Sequence, residues 1–86
     1  YQRARASEHS GRILRIATII RLGRRLGISP NADATLVAQT VSMACNRTAK
    51  EIEYILYGPA PASAVELTQL SQALEQLEEE VKHYER

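Results

Sequence analysis

The stretch SAVELTQLSQALEQLEEEVKHYER, residues 63–86, decides the fold class. In it Leu67, Leu70, Leu74, Leu77, Val81 and Tyr84 recur at alternating spacings of three and four, the a/d pattern of a heptad seam. Ser63 with Glu66 makes a capping box, in which hydroxyl and carboxylate each take an orphan N–H of the first turn, so the spacing predicts a helix over 63–85. Such a seam is roughly 33 Å long at 1.5 Å per residue. Each leucine removed from water contributes roughly 1.5 to 3 kcal/mol, so something must cover it.

Outward from that helix, Gly58 to Ala62 holds Pro59 and Pro61 and reads as a stiff linker over 58–62. A third helix is predicted over 48–57. Thr48 and Glu51 form a second capping box, Ile52, Ile55 and Leu56 give the inward face, and Tyr57-Gly58-Pro59 ends the helix. Asn46 tolerates the left-handed conformation that closes helices, so a short turn joins it to a second helix over 33–45. That helix is capped by Asn31 or Asp33 and carries Val37, Val41 and Ala44 on one face. A first helix is predicted over 8–26, with Ile13, Ile16, Ala17, Ile20 and Gly23 as its core stripe and Arg15, Arg21 and Arg25 opposite. Gly27 and Pro30 stop it, and residues 1–7 read as a basic lead-in. The expectation is an all-α, four-helix bundle-like domain over residues 1–86, with the leucine seam inside. The alternatives are a homodimer through the last helix, or a partner's helix laid on the same seam.

Eighty-six residues are enough for one modest core, burying roughly 60 to 65% of the unfolded chain's surface, so a multi-domain enzyme is excluded. No apolar run approaches the roughly 20 residues of a membrane-spanning helix. One cysteine, Cys45, allows no internal disulfide and fits a reducing compartment. The chain opens at Tyr1 rather than methionine, which predicts that it is cut from a longer product. The formal net charge of +1 conceals an asymmetry. Residues 1–30 hold seven arginines against Glu8, a local charge of +6, whereas residues 31–86 hold four bases against nine acids, a local charge of −5.

Catalytic patterns are missing from the sequence. His9 and His83 lie near opposite ends of the chain with no cysteine or acid pair at metal-ligand spacing, and they read as exposed helix residues. Cys45 reads as a small buried apolar residue rather than a nucleophile. Glu78 to Glu80 are consecutive and so point in different directions on a helix, unlike a paired acid and base. There is no phosphate loop, nucleophile elbow or H-E-x-x-H. No enzyme activity, metal, cofactor or small-molecule substrate is expected.

Nucleic-acid binding is the alternative reading: the second and third helices, joined at Asn46-Arg47, have helix-turn-helix spacing, with a basic first helix beside them for phosphates. Against it, the would-be recognition helix offers Lys50, Glu51, Glu53 and Tyr54, two of them acids facing the groove's negative potential, with no arginine or glutamine placed to read bases.

The order Arg21-Leu22-Gly23-Arg24-Arg25-Leu26-Gly27, then Asn46-Arg47-Thr48, then Leu56-Tyr57-Gly58-Pro59-Ala60-Pro61, then a leucine-rich acidic helix resembles the C-terminal tail of actinobacterial membrane proteins of unknown function. In that family the tail follows a transmembrane helix and the genes often lie beside one for a MoxR-type ATPase. The resemblance therefore implies a cytoplasmic module anchored at its N-terminus, and it brings no catalytic residues. Where this chain has Asn46 the family's pattern usually has glycine. The arginines Arg3, Arg5, Arg12 and Arg15 independently suit the cytoplasmic side of a span.

The reading that follows is a cytoplasmic, membrane-proximal protein–protein interaction domain. Leu70, Leu74, Leu77 and Val81 are expected to serve helix packing or pairing, and Arg15, Arg21, Arg24 and Arg25 to contact anions. The partners expected are another protein or a second copy, and an anionic membrane surface near the N-terminus.

Overall fold

A computed structural model describes residues 2–84, with side chains from Ala4 onward. Four helices account for it: α1 (Gln2–Leu26), α2 (Ala34–Met43), α3 (Ala49–Tyr57) and α4 (Ala64–Tyr84), with no strand among the described residues. The expected all-α, four-helix arrangement is the observed one. Tyr1, Glu85 and Arg86 lie outside the described residues, as does the end of the predicted last helix at residue 85.

The caps follow the sequence closely. Asp33 accepts from the Leu36 N–H at 2.9 Å and opens α2, so of the two candidate caps it is the one used. Thr48 accepts from the Glu51 N–H at 3.1 Å and opens α3. Ser63 accepts from the Glu66 N–H at 3.2 Å and opens α4, while the Glu66 carboxylate takes the N–H of Ala62, one residue before the cap, at 3.0 Å. Gly27, at φ 70°, closes α1, with the Ile28 N–H donating back to the Gly23 carbonyl at 2.9 Å.

Several expectations need correction. The basic lead-in is helical: α1 begins at Gln2, because Gln, Arg and Ala favour helix and no breaker intervenes before Ser7. Asn46 does not take the left-handed conformation, since no non-glycine residue among those described has positive φ; α3 ends at Tyr57 as expected, with Gly58 as its cap at φ −72°. Pro59, which cannot continue the hydrogen-bond ladder, ends α3. The stretch 58–62 is more than a spacer, since Pro61 is buried.

The largest correction concerns the face of α1. Ile13, Ile16 and Ile20 are 53, 50 and 47% exposed, whereas Ser7, Gly11, Thr18 and Leu22 are buried, and Leu14 packs against the core. α1 is therefore turned about its axis from the expected orientation, presenting small residues to its neighbours. A Cβ built on Gly11 would stand 2.6 Å from Cγ of Pro61 and 3.4 Å from Cδ2 of Leu70. The linker and α4 thus reach a depth that a larger stripe would block.

Against this surface α4 lays Leu74, Leu77 and Val81, all buried, and with Leu22, Val37, Val41, Ile52 and Leu56 they form one continuous core. The helices α2 and α3 pack on each other as a pair and complete the bundle. At 25 residues, α1 spans roughly 37 Å at 1.5 Å per residue and sets the long axis of 41 Å.

Candidate interaction surface

The leucine seam of α4 is covered from within the chain. Leu74, Leu77 and Val81 are at most 3% exposed and Leu70 is half-buried against the core, so these residues serve packing. Pairing two copies through the same leucines requires α1 and α4 to part first. At the ends of the seam, Leu67 is partly buried and Tyr84 is 60% exposed.

The four arginines expected to contact anions divide into two groups. Arg15 is half-buried and turned toward α3: its Nε donates to the Ile55 carbonyl at 3.0 Å and its Nη1 to the Gly58 carbonyl at 2.7 Å. It neutralises the negative end of α3, a structural duty. Burial lowers the pKa of its guanidinium from the ordinary value. Arg21 donates to Glu78 of α4 at 2.7 Å, so the basic first thirty residues meet the acidic remainder of the chain there. Arg24 and Arg25 stand with Arg21 and Lys82 around a shallow cleft that also includes Glu78 and Glu79, where α1 and α4 run alongside each other.

Arg47 was absent from the expected set. In the α2–α3 turn it forms a two-pronged contact with Glu80 of α4, Nε to Oε1 at 2.9 Å and Nη2 to Oε2 at 3.0 Å, and it lies 3.8 Å from Glu51. The hydrogen bond from Arg47 holds the Glu80 carboxyl below the usual carboxylate range. This engages the one arginine in the helix-turn-helix-like turn, and the exposed residues of α3 beside it are Lys50, Glu51, Glu53 and Tyr54. Cys45 is buried and donates to the Val41 carbonyl at 3.3 Å, and His9 and His83 are exposed.

What remains unexplained by packing is the outward face of α1. Ile13, Ile16 and Ile20 form an exposed apolar stripe, bordered on one side by a groove of about 490 Å³ in which Ile16, Ile19 and Ile20 meet Ile28, Pro30 and Tyr57. A second hollow continues it past Ile16 and Tyr57 to Glu8 and Arg12. Scattered exposed apolar residues are ordinary; three branched side chains in one row beside an apolar groove are not. Hydropathy alone hides this face, because a stripe at helical spacing is the signature of a core. The discriminating signal was the second stripe of small residues at Ser7, Gly11 and Thr18.

Among the described residues no helix is long and apolar enough to cross a membrane, and no group of three or more His, Cys, Asp or Glu is arranged to hold a metal ion. No family model and no solved structure matches the chain. The chain is similar to the uncharacterized membrane protein Rv3691 of Mycobacterium tuberculosis, at 37% identity over 83 residues. That match takes in 96% of this chain and 22% of the relative, so the chain spans about a fifth of the length of the protein it resembles.

Proposed function

We propose that this chain is a non-catalytic helical interaction module of a membrane protein, working on the cytoplasmic side close to the bilayer, with the outward face of α1 as its contact surface. The observation that carries the reading is the half-exposed row Ile13, Ile16 and Ile20, which the fold leaves outside although the chain has enough small residues to fill the α1–α4 interface without it. The membrane-protein relative and the excess of arginine in the first thirty residues support the placement. Placing the module after a membrane span, as in the tail family the sequence resembles, agrees with both.

The test is residue-level accessibility in the native setting. In a Cys45→Ala background, Ile16→Cys is reacted with a maleimide in native membranes and in the purified chain, with Gln72→Cys on the exposed side of α4 as reference. Labelling at residue 16 is expected to be at least several-fold slower in membranes while residue 72 is unaffected. Equal rates at residue 16 in both settings overturn the reading.

A further inference from the structure

We infer that what covers the outward face of α1 is an anionic bilayer surface, on which the helix lies in plane with its isoleucines among the acyl chains and its arginines at the headgroups. This rests on the reading that this face is a contact surface, and it adds the chemistry of the partner.

At about 100° per residue, His9, Arg12, Ile13, Ile16, Ile20 and Arg24 fall within one arc of about 120°. The isoleucines occupy its middle, with Arg12 at one edge and Arg24 at the other. Along the axis the same order holds: Arg12 precedes the apolar row and Arg24 follows it. Glu8, the single acid of the first thirty residues, lies about 40° outside the arc, next to Arg12, in the hollow that Arg12 and Ile16 share with Tyr57 and Gly58. A narrow apolar centre with cations on both flanks and no acid inside the arc is the pattern of a helix that lies in a membrane interface, where long arginine stems let the charge rise to the phosphates. The acids of α4 nearest this face, Glu78 and Glu79, share a cleft with Arg24 and Arg21 that none of the isoleucines lines.

A second copy fits this face poorly. Antiparallel pairing that brings Ile16 onto Ile20 sets Arg12 opposite Arg24, and parallel pairing sets each arginine opposite itself, so either arrangement places like charges along both edges. Anionic headgroups offer a uniform field of the opposite sign at both edges at once. Three half-exposed isoleucines and a few cations give weak, reversible adsorption. That is enough when the module belongs to a membrane protein, because tethering keeps it at high effective concentration near the surface.

The test uses the chain with vesicles of phosphatidylcholine, with and without about one third phosphatidylglycerol. The chain is expected to sediment with the anionic vesicles only, less so as salt rises. Ile16→Asp with Ile20→Asp is expected to weaken partition about tenfold or more, with an unchanged thermal melt by circular dichroism. Because the chain contains no tryptophan, Ile16→Trp supplies a clean probe whose emission is expected to shift to the blue on binding. An intact chain that ignores anionic vesicles overturns the inference, and so does binding that is unaffected by the two aspartates or that leaves the tryptophan emission unmoved. If residue 16 is protected in native membranes while the chain ignores vesicles, the face is covered by a protein: the lipid inference falls and the proposed contact surface stands. If residue 16 is unprotected in native membranes, both fall.

Discussion

Arg47 and Glu80 meet through two parallel hydrogen bonds, 2.9 and 3.0 Å, that tie the turn between α2 and α3 to the last third of α4. The fork geometry fixes two elements far apart in sequence at a place where the apolar core is thinning toward Tyr84, so its loss is felt by the bundle and not only at the surface. Glu80→Gln or Arg47→Met is expected to lower stability by roughly 1 to 2 kcal/mol in denaturant unfolding. The sign with pH follows from the direction of the shift. Glu80 is held below the ordinary carboxylate value by its bond to Arg47, so the pair contributes fully above about pH 4.3, and the contribution fades as pH falls through the lowered value. The acid limb of the stability profile should flatten in Glu80→Gln. An acid limb identical to that of the unmodified chain counts against the pair.

Gly11 lies directly against the ring of Pro61. A methyl group at residue 11 would lie 2.6 and 2.7 Å from two carbons of a buried proline ring, which cannot swing aside as a flexible side chain would. At an exposed helical site Gly→Ala stabilises by roughly 1 kcal/mol, whereas forcing a carbon into a packed site costs roughly 1 to 3 kcal/mol. The clash wins here, so Gly11→Ala should lower the unfolding midpoint, and Gly11→Ala combined with Pro61→Ala should recover part of the loss. A Gly11→Ala variant more stable than the unmodified chain would show that α1 and the linker are farther apart than the structure has them.

How much of this was legible in the sequence depends on whether a residue's partner was local. Asp33, Thr48 and Ser63 bond within their own first turns, so spacing alone identified Thr48 and Ser63 and narrowed the cap of α2 to Asn31 or Asp33. The leucine seam of α4 was legible because only one face of that helix is apolar. On α1 two stripes competed, the isoleucines and the row Ser7, Gly11, Thr18 and Leu22, and hydropathy favours the first although the close fit of α4 and Pro61 needs the second. Arg15 was misread for a related reason: its acceptors are backbone carbonyls some forty positions away, and a carbonyl has no residue-type signature.

The two bonds of Arg15 give the third prediction. Removing the guanidinium leaves the Ile55 and Gly58 carbonyls at the end of α3 without their donor, in a half-buried site where water replaces it imperfectly. Arg15→Ala is expected to cost roughly 1.5 to 3 kcal/mol. Lysine, a compact charge without a fork, cannot reach both carbonyls at once, so Arg15→Lys should restore only part of the loss. Arg12→Ala, three residues earlier on the outward edge, should change stability by less than about 0.5 kcal/mol. Equal effects at residues 12 and 15 would mean that Arg15 does no more than an exposed charge.

The orientation of α1 can be tested through Cys45, without any ligand. Its thiol is buried and bonded to the Val41 carbonyl, and burial pushes its pKa up, so at neutral pH a disulfide reagent reaches the thiolate only when the bundle opens. The labelling rate then follows the opening equilibrium. Leu77→Ala removes a fully buried side chain and is expected to cost roughly 2 to 5 kcal/mol, which speeds labelling by roughly one and a half to three and a half powers of ten at about 1.4 kcal/mol each. Ile16→Ser deletes an apolar side chain of similar size from the half-exposed row and is expected to change stability by under about 0.5 kcal/mol, with the labelling rate almost unmoved. If α1 were instead turned as hydropathy suggests, Ile16 would be a core residue and the two variants would accelerate labelling alike. The ratio of the two rates therefore reads which stripe of α1 faces the core.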